Sequence, residues 1–358
     1  MRGLMMDTPL LISSLLEHAT AVHGASEIVT RTVEGPVHRY TWAQAAQRAR
    51  QLAQALESLS VREGDAVATI AWNTHRHLEL YYGVSGMGAI VHTVNPRLHP
   101  SQVAYVLNHS PDRGLFVDLT FLPLAEAVWD SLETVKHLVV LTDRAHMPET
   151  RVPGALCYED LLAARDGAYA WPALDEDAAA AICYTSGTTG NPKGVVYSHR
   201  STVLHAYAFS LPGAVPIFPG EAVLPVVPMF HVNAWGIPYC AAMMGFKLVM
   251  PGPRLDGPAL TEIMNQEQVT GYLGVPTVHL GLLGHWDATG AAVPSLKWVT
   301  TGGAAPTTGL VRAFRSRGIE VIHGWGMTET SPVGTISRVT AADVDLSDDE
   351  QVRLLMRQ

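Results

Sequence analysis

Short apolar segments alternate with longer segments of helical periodicity along the first half of this 358-residue chain. The apolar segments are four to six residues long and end at polar or glycine-containing turns, which indicates buried strands. They cover residues 66–71, 89–93, 114–117 and 138–141. Helical spacing of apolar residues marks 42–59, 76–87 and 101–108. Because such alternation favours a sheet with helices on its faces, the sequence predicts an α/β fold.

The N-terminal region adds a helix and a hairpin to this alternation. Residues 10–23 carry apolar side chains at helical spacing, and residues 27–40 form a predicted hairpin that turns at Gly35 and Pro36. Thr41 is a suitable N-cap for the helix that follows. Residues 143–177 are rich in proline, glycine, alanine and charge, so we expect a loose connection with one short helix near Leu161. We therefore predict subdomains at 1–175 and 176–338, followed by a charged helical tail at 339–358.

Composition narrows the class of protein. Hydrophobic residues make up 47% of the chain and charged residues 16%, which indicates a well-filled core. The net charge of −9 argues against a nucleic-acid surface. Three cysteines show no metal-ligand spacing and suit a reducing compartment. No apolar segment approaches the roughly 20 residues that span a bilayer. We expect a cytoplasmic, soluble protein.

A loop rich in glycine and hydroxyl groups follows the apolar segment that ends at Tyr184. Glycines let backbone N–H groups turn toward a ligand, hydroxyls add donors, and a lysine adds a positive charge, which together suit a polyphosphate. The residues concerned are Thr185, Ser186, Gly187, Thr188, Thr189, Gly190 and Lys193. The spacing is not that of a Walker A loop, in which Ser or Thr follows Gly-Lys. The alternative interpretation is a flexible hairpin between two strands.

Three later segments also end in residues that are candidates for ligand binding or catalysis. The segment AVLPVVPMFHVNAW delivers His231 and Trp235 through a proline-bounded turn, although either side chain could be structural. The segment KWVTTGGAAP ends a strand in small residues, including Gly302 and Gly303, against which a flat ring can lie. The segment IEVIHGWGMTETSP again leads from a strand into glycines, an aromatic ring and a carboxylate.

The glycine-rich loop and the segment around HGWGMTE closely resemble two signatures of the acyl-adenylate-forming enzymes, the family of acyl-CoA synthetases, luciferases and peptide-synthetase adenylation domains. Within that family the chain is most similar to medium- and long-chain fatty-acyl-CoA synthetases. The resemblance implies stacked, mostly parallel sheets flanked by helices, and the use of ATP, Mg²⁺ and CoA with a carboxylic acid. A homodimer is compatible with it.

The resemblance also implies roles for single residues. It places Lys193 and the loop from Thr185 at the phosphates, and Thr185 with Glu329 at Mg²⁺. His231 would border the carboxylate and Trp235 would gate an acyl tunnel, beside Gly302. The remaining nucleotide-binding residues that it implies are Gly303, His323, Gly324, Trp325, Gly326 and Thr328. Trp325 replaces the tyrosine that is usual for stacking on adenine.

After Pro332 the pattern stops. The family continues with a ribose-binding Asp, an Arg, a hinge and a mobile C-terminal domain that carries a lysine, whereas this chain has no lysine after Lys297. We therefore expect the large N-terminal domain of such an enzyme, incomplete at its C-terminal side. A fragment, a truncated gene product and half of a split enzyme are all open. The predicted function is an AMP-forming fatty-acid–CoA ligase; the alternative is a catalytically incompetent remnant or split-enzyme half that binds nucleotide, acyl ligand or a partner subunit.

Overall fold

A computed structural model describes residues 3, 5, 7–185 and 190–357, and the fold consists of two sheets with helices between and around them. The strands are β1 Glu27–Arg31, β2 Val37–Thr41, β3 Ala66–Ile70, β4 Ile90–Thr93, β5 Gly114–Val117, β6 His137–Val140, β7 Leu156–Cys157, β8 Ala179–Thr185, β9 Lys193–Ser198, β10 Ala222–Pro225, β11 Lys247–Met250, β12 Gly271–Gly274, β13 Trp298–Thr301, β14 Glu320–Gly326 and β15 Val333–Ser337. The α-helices are α1 Ile12–His23, α2 Trp42–Ser58, α3 His75–Gly86, α4 Pro100–His109, α5 Leu122–Val128, α6 Tyr158–Ala163, α7 His199–Phe209, α8 Ile237–Met244, α9 Gly257–Glu267, α10 Pro276–Thr289, α11 Thr308–Arg315 and α12 Asp348–Leu355.

The strands form a seven-stranded sheet, here called sheet I, and an eight-stranded sheet, sheet II. Sheet I has the order β7-β6-β5-β3-β4-β8-β9, and sheet II has the order β15-β14-β13-β12-β10-β11-β1-β2. Neighbouring strands are parallel except for the pairs β8–β9, β14–β15 and β1–β2. The predicted α/β class with mostly parallel sheets and flanking helices is confirmed.

The two sheets interleave along the chain. The predicted hairpin at residues 27–40 is present as β1 and β2, but it pairs with β11 at the far end of sheet II. In the other direction, β8 and β9 follow the predicted boundary at residue 175 and yet complete sheet I. Sheet membership therefore does not follow the predicted division into residues 1–175 and 176–338.

A layer of helices joins the two sheets. Thr41 caps α2 as predicted: its hydroxyl accepts from the Gln44 N–H, and the Gln44 side chain accepts from the Thr41 N–H. The largest cluster of buried apolar side chains combines residues of α1, α2, α3 and α8 with residues of strands in both sheets, for example Val67 of β3 and Leu248 of β11. Because this core is shared, the position of one sheet is fixed by packing against the same helices as the other.

The segment predicted as a charged tail packs on sheet II. Its helix α12 begins at the Ser347 N-cap and buries Val352 and Leu355 in the same cluster as Phe314. The Leu355 carbonyl oxygen lies 2.9 Å from Nδ1 of His323 in β14. Among the described residues, none of the helices combines the length and apolar character that crossing a bilayer requires.

Candidate functional site

A cavity of about 530 Å³ lies where the carboxyl ends of strands from both sheets meet. This is the expected place for a ligand in an open α/β sheet. Ten of the residues predicted from sequence line it: Thr185, Lys193, His231, Trp235, Gly303, Gly324, Trp325, Gly326, Thr328 and Glu329. They come from four separate segments of the chain, and only the fold brings them together.

One side of the cavity carries the positive charge. Thr185 is the last residue of β8, and it is paired across the antiparallel ladder with Lys193, the first residue of β9. Ser186, Gly187, Thr188 and Thr189, which we predicted to bind phosphate, lie outside the described residues. Gly190 is exposed and has φ +94°, a left-handed conformation that glycine adopts without strain; it is not among the lining residues.

Lys193 differs from the other lysines of the second half. Lys247 lies 2.7 Å from Glu267, and Lys297 lies 3.0 Å from Glu221. Within the part of the chain that the structure describes, Lys193 is exposed and has no carboxylate partner. Its ammonium group can therefore meet an anion without first breaking an ion pair.

Another part of the cavity lining comes from the β14–β15 hairpin. Trp325, near the end of β14, is 45% exposed and its ring lies over Gly334 of β15, where a Cβ would stand 2.6 Å from the ring. Gly326 likewise has no room for a side chain, because a Cβ there would lie 2.0 Å from the Pro332 carbonyl oxygen. The two glycines thus allow a planar ring to line the cavity, as stacking on a purine requires.

Thr328 and Glu329 follow directly and face the same space. The buried Tyr197 of β9 donates a hydrogen bond of 2.6 Å to the Thr328 carbonyl oxygen, so sheet I holds this part of sheet II. Glu329 is exposed in the cavity that Thr185 also lines. No group of three or more His, Cys, Asp or Glu side chains in the described ranges is arranged to hold a metal by itself. One exposed carboxylate fits Mg²⁺ well, because this ion commonly takes one or two carboxylates and completes its shell with phosphate oxygens and water.

The third side of the cavity contains His231 and Trp235. His231 is exposed at the cavity surface. Desolvation by the surrounding protein still lowers the pKa of its imidazole, and the positive charge of nearby Arg97 lowers it further. The neutral ring can therefore hydrogen-bond a carboxyl group without carrying its own charge. Apolar side chains that line the cavity with Trp235 are Phe209, Val232 and Val333. Gly302 does not line the cavity but lies against Trp235, because a Cβ there would stand 3.0 Å from the indole ring.

The backbone between His231 and α8 has an unusual conformation. Val232, Asn233, Ala234 and Trp235 have φ between +42° and +54°, and Gly236 follows with φ +75°. A left-handed conformation costs a non-glycine residue roughly 1–2 kcal/mol, and such residues normally occur singly. A run of four persists only where surrounding contacts determine it. The sequence predicted a turn here but not its handedness.

Two further differences from the sequence-based prediction concern the lining. His323, predicted at the nucleotide, is not among the lining residues, and its ring instead meets the Leu355 carbonyl of α12. The lining residues that were not predicted are Phe209, Val232, Thr300, Met327, Pro332 and Val333. Met327 and Pro332 lie within the segment IEVIHGWGMTETSP and Val333 follows it directly, so their neighbourhood was a usable signal. Phe209 lies at the end of α7, outside every recognised segment.

A smaller cavity of about 160 Å³ adjoins the first and shares Thr185, His231 and Thr328 with it. Its other walls come from the end of β4 and from α4, including Asn95 and Val106. The shared residues lie at the junction of the two cavities, so a second ligand could approach the centre from this direction.

The chain is similar to known proteins along nearly its whole length. The chain matches the AMP-binding enzyme family over residues 16–354. It is 48% identical over 359 aligned positions to a medium-chain-fatty-acid–CoA ligase of Ectopseudomonas oleovorans, covering 100% of this chain and 66% of that protein. It is 47% identical to a long-chain-fatty-acid–CoA ligase of Thermus thermophilus, covering 98% of this chain and 63% of the relative.

Solved structures share the fold. The N-terminal domain of FACL13 from Mycobacterium tuberculosis, crystallised with an inhibitor, superposes with a TM-score of 0.78 at 25% identity, over 93% of this chain and 79% of that one. The anthranilate CoA ligase AuaEII in complex with anthranoyl-AMP gives a TM-score of 0.84 at 22% identity, over 93% of this chain and 63% of that one. The chain spans about two thirds of the length of the curated relatives it matches. From the match along nearly its whole length, the chain belongs to the AMP-binding enzyme family.

Proposed function

We propose that this chain forms the nucleotide- and acid-binding part of an AMP-forming acid–CoA ligase. The observation that carries the proposal is the common cavity, which combines Lys193, the Trp325 ring, the Glu329 carboxylate and the apolar wall beside His231. Among the described residues, Lys193 has no carboxylate partner. ATP has a planar base, an anionic triphosphate and a bound Mg²⁺, and each finds a suitable partner among these groups.

In the proposed reaction an oxygen of the substrate carboxylate attacks the α-phosphorus of ATP. An O–P bond forms, the bond to pyrophosphate breaks, and acyl-AMP remains. In the second step the thiol of CoA loses its proton to solvent, its sulfur attacks the acyl carbon, and AMP leaves with the electrons of the C–O bond. No side-chain nucleophile is needed, so the protein contributes positioning and charge neutralisation.

Each residue then has one task. Lys193 and the Thr328 hydroxyl would contact phosphate oxygens, and Mg²⁺, held by Glu329 with help from Thr185, would neutralise part of the triphosphate charge. Trp325 would stack on adenine. His231, neutral at physiological pH because its pKa is lowered, would hydrogen-bond the substrate carboxyl without an added charge.

For the acid we propose an aliphatic, fatty-acid class. The walls beside the carboxyl position are apolar. Among the described residues that line the cavity, Lys193 is the only lysine or arginine. The names of the two bacterial relatives, a medium-chain and a long-chain fatty-acid ligase, support the same class. A relative in Ruegeria lacuscaerulensis that is 46% identical is a 3-methylmercaptopropionyl-CoA ligase, so a short thioether acid belongs in any substrate panel.

A second candidate function is binding without turnover. The chain spans about two thirds of the length of the curated relatives it matches, and a chain of this span could bind nucleotide or acyl ligand, or pair with a second polypeptide. This alternative predicts affinity for ATP without release of pyrophosphate.

The test is to mix the purified chain with Mg-ATP and aliphatic acids from short to long, and to follow pyrophosphate release together with acyl-AMP by mass spectrometry. A Lys193→Ala, Glu329→Ala variant gives the background. Acyl-AMP above that background supports adenylation and identifies the preferred acid. ATP binding without acyl-AMP supports the second candidate, and absence of ATP binding by folded protein contradicts both.

A further inference from the structure

The loop that carries His231 belongs to sheet II, but residues of the sheet I side hold it in place. Asn73 follows β3 and is 5% exposed. Its side-chain Nδ2 donates to the carbonyl oxygens of Pro225 and Val227, both at 2.9 Å, and its Oδ1 accepts from the Met229 N–H at 2.7 Å. Both amide hydrogens and the side-chain oxygen are therefore committed to one short segment of sheet II.

The main chain of Asn73 makes a fourth bond in the same direction. Its carbonyl oxygen accepts from the N–H of Gly252, just after β11, at 3.2 Å. One residue at the end of a sheet I strand thus contacts the ends of two adjacent sheet II strands. The three hydrogen bonds of the Asn73 side chain fix the path of the main chain that they contact. Each peptide group in that segment can form its hydrogen bond to Asn73 in only one orientation.

Tyr81 of α3 holds the same loop from a second point. It is completely buried, and its hydroxyl donates to the Met229 carbonyl oxygen, with the Asn233 Oδ1 as a second acceptor at 3.3 Å. The Cys183 thiol of β8 also donates to Asn233 Oδ1, at 3.3 Å. Asn233 is one of the four residues in the left-handed run, so α3 and β8 contact the interior of this strained segment. Met229, held by Asn73 and Tyr81, lies shortly before the run begins.

We propose that Asn73 and Tyr81 are positioning residues for the acid end of the site, acting through the loop that carries His231 and Trp235. The left-handed backbone is not the conformation that Val232 to Trp235 would choose alone. Hydrogen bonds from sheet I on Met229 and Asn233 compensate for its strain and set the direction of the two rings. Neither Asn73 nor Tyr81 lines the cavity, so both act only through this loop. The inference rests on the proposed function, because it assigns the loop to the acid.

The consequence is a selective effect on ligand binding. Loss of one of these hydrogen bonds should weaken binding of the acyl group, whereas the adenosine side is built by β14 and β15 and should keep its affinity. A general loss of stability would weaken both equally. The ratio of the two affinities therefore separates positioning from simple structural support.

The test compares Tyr81→Phe with wild type by isothermal titration calorimetry, using sulfamoyladenosine and decanoyl-sulfamoyladenosine as stable mimics without and with the acyl chain. The phenyl ring keeps the buried volume, so Tyr81→Phe is expected to fold. We expect affinity for the decanoyl probe to fall about tenfold, the effect of one lost buried hydrogen bond, while sulfamoyladenosine stays within about twofold. Asn73→Ala should give a larger fall in the same direction if it folds.

Tyr158→Phe is the matched control. Tyr158 is also completely buried, and its hydroxyl donates to Glu79 at 2.7 Å, away from the loop. It should lower thermal stability and leave the ratio of the two affinities unchanged. Tyr81→Phe binding that equals wild type for both probes, or that falls equally for both, overturns the inference while leaving the proposed function intact. A wild-type chain that gains no affinity from the decanoyl group overturns the acid site itself, and the inference with it.

Discussion

The two sheets contribute different kinds of residue to one cavity. The segments after β10, β13 and β14 of sheet II supply most of the described lining, including His231 and Glu329. The strands of sheet I supply Thr185 and Lys193 to that lining. The remaining contribution of sheet I is indirect, through hydrogen bonds such as Tyr197 to Thr328 that hold the loops of sheet II.

This difference explains which residues a sequence reveals. Side chains that would touch phosphate, metal or adenine occur in compact strings, because a ligand is small and each strand end supplies several adjacent residues. Supporting side chains such as Asn73 and Tyr81 come from distant segments and form no string. Substitutions at residues of direct contact and at supporting residues should therefore differ in their effects.

The largest effect should come from the charge that sheet I supplies directly. Lys193→Ala removes the positive charge that would meet the triphosphate, and we expect ATP–pyrophosphate exchange to fall on the order of 10²–10³-fold, as for loss of a group that stabilises developing charge. Lys136→Ala is the control, because Lys136 is exposed and does not line the cavity. Unchanged ATP–pyrophosphate exchange in Lys193→Ala would mean that sheet I contributes only by holding the loops of sheet II in place.

The second effect concerns a buried histidine of α7, the helix that follows sheet I. His205 is 7% exposed and lies against Gly236 at the end of the left-handed run, where a Cβ would stand 2.5 Å from its Nδ1. Burial lowers the pKa of His205 from its ordinary value of 6.5 to about 4. The unfolded chain binds a proton at this histidine near pH 6.5, whereas the folded chain does so only near pH 4. The free energy of unfolding is therefore unaffected by His205 above pH 6.5 and decreases as the pH falls from 6.5 toward 4.

Denaturant unfolding at a series of pH values measures this contribution. At about pH 5 the wild type should have lost about 2 kcal/mol through His205, and His205→Gln should show a correspondingly flatter dependence on pH. If the free energy of unfolding of His205→Gln depended on pH as steeply as that of the wild type, protonation of His205 would not affect stability.

A third effect, of about tenfold, should come from a glycine that no motif contains. Gly334→Ala would place a Cβ 2.6 Å from the Trp325 ring and push the ring out of its position. Affinity for sulfamoyladenosine should therefore fall about tenfold, the loss expected for one weakened base–aromatic stack. Gly284→Ala is the control, since nothing lies within 4 Å of a Cβ added there. Full affinity in Gly334→Ala would show that the ring does not stack on adenine.

The smallest effect should follow from changing the ring itself. Trp325→Tyr keeps a planar partner for adenine, and we expect affinity for Mg-ATP within about threefold of wild type. Trp325→Ala removes the stack and should cost on the order of tenfold or more. Titration calorimetry with Mg-ATP measures both. Equal affinities for the tyrosine and alanine variants would contradict stacking as the role of position 325.

Local structure could be read from the sequence where local interactions decide it. The hairpin at residues 27–40 and the cap at Thr41 were predicted correctly, because turn residues and capping side chains act within a few positions of each other. The β1–β2 hairpin's place beside β11 was not predicted. Strand pairing between residues 28 and 248 depends on which apolar faces meet in the folded chain, and this leaves no local signal.

The same distinction applies within the site. A motif indicated that the residues from His323 to Glu329 lie at one strand end, but not which side chains of the strand turn toward the ligand. His323 does not line the cavity, and its ring meets the Leu355 carbonyl oxygen of α12, a partner that lies outside the motif. The left-handed run after His231 is a further case, because a conformation that its own residues disfavour is stable only in the presence of distant partners.

The sequence by itself thus determined the α/β class, the positions of most strands and helices, and the strings of residues that would meet nucleotide and acid. Those features depend on periodicity, turn chemistry and adjacent side chains. Only long-range packing makes two interleaved sheets share one core, brings Lys193, Trp325 and Glu329 to a single cavity, and lets Asn73 and Tyr81 hold the loop of the other sheet. These features arise from contacts between residues far apart in the chain, which exist only after the apolar faces of both sheets have packed on the helices between them.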